Sequence, residues 1–170
     1  MSYQWIGAIL VIGGCGGFGF SLAASHRREE AALRQLLRIL KYMRCELRYR
    51  LTPLPELCRQ SAGEATGQLR AVMQYLAVEL ERTAQSDAAA CMRAAIARSS
   101  DIPRCARRLL VQLGRSLGRF DLEGQLEGLD AVCTSCREQL KELNRNRDAR
   151  LRSYQTLGLC AGAALAILFL

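Results

Sequence analysis

Charge is absent from both ends of this chain and crowded into its middle. Residues 1–24 hold no Asp, Glu, Lys or Arg, and neither do residues 153–170. Apart from tyrosines and cysteines, every ionisable side chain lies between His26 and Arg152. The first uncharged run, "WIGAILVIGGCGGFGFSLAA", has about 20 residues, which as a helix rise roughly 30 Å, the thickness of a bilayer's hydrocarbon core. The second, "SYQTLGLCAGAALAILFL", has about 18 residues and reaches across with some local thinning of the bilayer. A secretory signal would place basic residues before its apolar run, and Met1 to Gln4 hold none.

Orientation follows from arginine. Arg27, Arg28 and Arg34 follow the first run, and Arg145, Arg147, Arg150 and Arg152 precede the second. Basic flanks stay in the cytoplasm, so the middle is expected inside and both termini outside. Membrane-flanking arginines also account for much of the net charge of +8. Nucleic acid is a poor partner for this pattern, because Arg alternates with Glu and Asp and no aromatic stripe accompanies it.

The middle reads as helix throughout. Leu33, Leu36, Leu37, Leu40, Met43 and Leu47 fall at helical spacing on one face. "RYRLTPLPEL" then turns a corner. Thr52 suits an N-cap and Pro53 the first helical position, giving a short second helix from Thr52 to near Gly63. A third runs from about Thr66 to Arg82. Ser86 or Asp87 caps a fourth through Arg98, and Asp101, with Pro103 in the first turn, opens a fifth. Gly118 ends that helix and Asp121 caps the next. In the sixth, Leu122, Leu126, Leu129, Cys133, Cys136, Leu140 and Leu143 keep a 4-3 spacing that makes a coiled-coil-like seam. Nothing interrupts it before the second uncharged run. The expected architecture is all-α: a six-helix antiparallel bundle (26–152) between transmembrane helices at 1–25 and 153–170, its last helix continuous with the second span.

Chemistry is scarce. "CTSC", Cys133 to Cys136, sits on the apolar seam, where a cysteine packs as a small hydrophobe. Zinc would need two further ligands, and Cys45 and Cys58 do not form a second close pair. His26 is the only histidine. "GGCGGFG" lacks the Lys-Ser/Thr of a phosphate loop. No catalytic residues and no cofactor or metal ligands are assigned, and an enzyme is not expected.

The order of an uncharged span, "ASHRREEAALRQLLRILKYMRCEL", "RYRLTPLPEL", "LVQLGRSLGRFDLEGQ" and the closing "LRSYQTLGLCAGAALAILFL" resembles the stage III sporulation protein AB family of endospore-forming bacteria. The likeness covers essentially the whole chain, and "TPLPE" and "LGRSLGRFDLEGQ" carry it most specifically. It implies a six-helix bundle like the F-domain of type II secretion and type IV pilus platform proteins. It implies a non-enzymatic adaptor in the mother-cell membrane, within the complex joining mother cell and forespore. The partners implied are a cytoplasmic AAA-like secretion ATPase of the same operon and other membrane channel subunits. Platform proteins carry two such bundles and this chain one, which leaves homo-oligomer formation open. Both motifs are expected at the end of the bundle remote from the membrane. Docking is therefore expected at Arg48, Arg50, Thr52, Pro53, Glu56, Arg119, Asp121 and Gln125. The alternative is a membrane-anchored redox or metal sensor using Cys133 and Cys136.

Overall fold

A computed structural model describes the backbone of residues 2–82, 87–99, 101–118 and 121–169, and the side chains of 25–82, 87–99, 101–118 and 121–145. Six α-helices occur among them: α1 (Ser2–Arg50), α2 (Leu54–Ser61), α3 (Gly67–Arg82), α4 (Ala88–Ala97), α5 (Arg104–Ser116) and α6 (Leu122–Phe169). No strand is present among the described residues. Among the residues whose side chains are described, no helix is long and apolar enough to cross a membrane. The two uncharged runs lie outside the residues whose side chains are described.

Each helix packs on the next, and α6 closes the ring against α1. The two long helices run antiparallel. Arg44 of α1 donates to Asp130 of α6 at 2.5 Å, and farther toward the start of α1 the Cys136 thiol donates to the Leu33 carbonyl at 3.3 Å. The core between them is apolar and closed. Leu33, Leu36, Leu40 and Met43 of α1 are fully buried against Leu110 and Leu113 of α5 and Met73 and Leu76 of α3. Burying each such side chain contributes about 1.5–3 kcal/mol before the entropy of ordering it is charged.

α6 is one helix of 48 residues from Leu122, as its unbroken pattern requires. Its buried face is wider than the 4-3 seam, because it meets both α1 and α5. Val132 is buried beside Leu129, Cys133 and Cys136, whereas Leu122, expected in the seam, is 40% exposed. Where α6 crosses α5 the backbones come close. A Cβ on Gly128 would stand 2.5 Å from the Ser116 Cβ, nearer than real Cβ atoms approach.

Two helix starts correct expectations. Thr52 does not cap α2, nor Asp101 α5. Pro53 and Pro103 take those N-cap positions, with φ near −55° and ψ of 143°, and neither helix start has a side-chain cap. α2 ends at Ser61, and Gly63 falls in a 3-10 turn (Ala62–Glu64) that follows it. Asp87 caps α4 as expected, accepting from the Ala89 N–H at 3.2 Å, while Ser86 lies outside the described residues.

Candidate functional site at the distal end

The end of the bundle where α1 stops and α6 starts carries both sequence motifs. They lie side by side: a Cβ added to Gly118, in the α5–α6 turn, would stand 3.5 Å from the Leu54 side chain at the start of α2.

The α5–α6 turn is built from the residues its backbone needs. Gly118 adopts φ +75°, which costs other residues steric strain. Asp121 then accepts from the Gly124 N–H through Oδ1 at 3.1 Å, satisfying one of the free donors at the start of α6. The Asp121 carbonyl takes the Gln125 N–H at 3.0 Å. Arg119 lies outside the described residues.

The α1–α2 corner is built differently. Its centre is Glu46, 9% exposed, on the last turns of α1. The Thr52 hydroxyl donates to Glu46 Oε2 at 3.3 Å, and Arg50 Nη1 stands 3.8 Å from Oε1. The Pro53 carbonyl accepts the Leu57 N–H at 2.9 Å, the first bond of α2. Leu51, between Arg50 and Thr52, has φ +52°, and it is the one non-glycine residue with positive φ among those described. That region costs an L-residue with a Cβ roughly 1–2 kcal/mol, and helix ends usually put Gly or Asn there.

Glu56 is partly exposed and bonded along its own helix. It accepts from Gln60 Nε2 at 2.9 Å and Arg59 Nη1 at 2.7 Å. Gln60 Oε1 accepts from the Tyr42 hydroxyl at 3.2 Å, and Arg59 also donates to Glu81 of α3. Burial, helped by the Glu46 carboxylate, raises the Tyr42 hydroxyl above its ordinary range. This network ties α1, α2 and α3 together.

Of the eight residues expected to dock a partner, Thr52, Glu56 and Asp121 are thus engaged within the bundle, and Gln125 is half-buried in the first turn of α6. Arg48, Arg50 and Pro53 are exposed. Sequence reasoning passed over Tyr49, 76% exposed, Leu51, 64% exposed, and the buried Glu46. An acidic residue between the inward positions Met43 and Leu47 was the available sign of Glu46. Leu51 falls four residues after Leu47, so periodicity alone assigns it to the core.

The cysteines form a separate set. Cys58, Cys91, Cys133 and Cys136 are buried. Burial pushes the Cys58 thiol up to about 12 and the Cys136 thiol up to about 11, and raises Cys133 as well. A raised pKa withholds the thiolate that redox exchange and metal binding use. Among the described residues, no three His, Cys, Asp or Glu side chains are grouped to hold a metal ion.

The chain matches the family model of stage III sporulation protein AB over residues 4–170. It is also similar to a solved structure of a stage III sporulation protein AB, with a TM-score of 0.63 and 18% identity. That likeness covers 72% of this chain and 98% of the other, and at such identity it speaks for the fold. No curated protein sequence matches the chain. A family match over nearly the full length, with the same helical fold beside it, means that the chain belongs to the stage III sporulation protein AB family.

Proposed function

We propose that the protein is a non-enzymatic, membrane-anchored adaptor of the channel complex between mother cell and forespore, and that its distal end docks a cytoplasmic secretion-type ATPase. Both uncharged runs span the mother-cell membrane, and the bundle faces the cytoplasm among the other channel subunits. The observation that carries this reading is the meeting of the proline corner and the α5–α6 turn at one end of the bundle. α1 and α6 continue into the uncharged runs at the other end. A partner approaching from the cytoplasm meets exposed Arg48 and Arg50 first.

The test uses the full chain in detergent with the ATPase of the same operon. Reversing Arg48, Arg50 and Arg119 to Glu leaves the fold intact and abolishes binding. Wild-type affinity in the triple variant overturns docking by these arginines. A reporter fused after Leu170 reads as external, and a cytoplasmic reading overturns the topology.

A further inference from the structure

Large apolar side chains are exposed at four described positions: Tyr49, Leu51, Val78 and Leu122. Three of them stand at the distal end, two within the corner and one at the start of α6. Isolated exposed hydrophobes need no explanation, but a cluster beside a strained backbone does.

Leu51 is the residue the fold explains least. The other positions with positive φ, Gly67 and Gly118, are glycines, the residue such a backbone favours. Leu51 accepts the same conformation with a branched side chain. Burial does not offset this, since the residue is 64% exposed. Glycine or asparagine would serve the free protein at least as well, so the reason for leucine lies outside the folded chain.

We infer that Leu51 and Tyr49 are the apolar anchors of the distal docking surface, and that the partner offers them an apolar pocket rimmed by carboxylates. The inference rests on the docking reading above and names the chemistry of the partner's side. Arg48 has no ion-pair partner among the described residues, and the Arg50 side chain is 73% exposed with its one contact at 3.8 Å. Two guanidinium groups on either side of Tyr49 offer planar, bidentate sites to carboxylates. Tyr and Arg are the side chains that most often dominate protein interfaces. Leucine is not, so its case stands on the backbone it occupies. The corner is also pre-formed. Glu46, before Leu51, holds Thr52, just after it, and the Pro53 carbonyl then accepts the Leu57 N–H, so little ordering remains to be done when a partner binds.

Leu51→Gly and Leu51→Asn test this in the full chain, held in detergent. Both residues accept positive φ. The melting temperature is expected to stay level or rise, while affinity for the ATPase of the same operon falls about tenfold or more. Tyr49→Ala, on an exposed helix face, is expected to lower affinity with an unchanged melting temperature. Wild-type affinity in both Leu51 variants overturns the inference and leaves docking by the arginines standing. A lowered melting temperature in both also overturns it, because Leu51 would then serve the fold. If the wild-type chain fails to bind the ATPase, the docking reading falls and this inference with it.

Discussion

The two turns that meet at the distal end solve the same problem in opposite ways. Each follows a helix, passes through a residue of positive φ and starts a new helix. The α5–α6 turn does so with Gly118 and a capping Asp121, both chosen by local backbone demands. The α1–α2 corner places a leucine at φ +52° and starts α2 with no side-chain cap. It is held from behind, by a buried carboxylate six residues before the threonine it grips. A turn made of locally favoured residues needs no further reason for its sequence. A turn that carries strain at an exposed apolar residue does.

Three substitutions measure this contrast by chemical denaturation of the full chain. The largest effect is expected from Gly118→Ala. Its Cβ would have room, with the nearest side chain 3.5 Å away, so the cost is that of the positive φ, about 1–2 kcal/mol. Asp121→Ala removes an N-cap and is expected to cost about 1 kcal/mol. An unchanged stability there would mean that Asp121 is kept for a partner. Thr52→Val is the smallest. Its bond to Glu46 is long, at 3.3 Å, and its loss is expected to cost about 0.5 kcal/mol. Should Thr52→Val cost more than Gly118→Ala, the corner is the better-determined turn and the contrast is reversed.

Elements set by their own residues were legible in the sequence. Gly118 sits where the backbone takes a positive φ, and the Asp121 and Asp87 side chains accept from N–H groups within three residues. The unbroken α6 follows from a long apolar repeat. What depends on reach across a corner was not legible. Thr52 has the composition of a cap, yet the N-cap position falls one residue later and the Thr52 hydroxyl donates to Glu46, a bond no local pattern announces. Pro53 and Pro103, read as first-turn residues, instead occupy the N-cap positions with extended backbone. Ile39 and Val132 are buried although the seam did not require them, because α1 and α6 each face more than one neighbour. The candidate site divides on the same line. Arg48 and Arg50 were readable as exposed charge. Leu51 kept the helical spacing after the helix had ended, and a left-handed leucine has no signature in composition or period.

The close crossing of α5 and α6 bears on motion. A helix shifts past its neighbour by whole turns, about 5.4 Å each. With Gly128 pressed against Ser116, a turn in one direction would bring Ala131 or Val132 into the contact, where a single Cβ already overlaps. A turn in the other direction would bring Gly124, which adds no Cβ. Slippage of α6, a helix of 48 residues and so about 72 Å long, is therefore blocked one way and sterically open the other at this crossing.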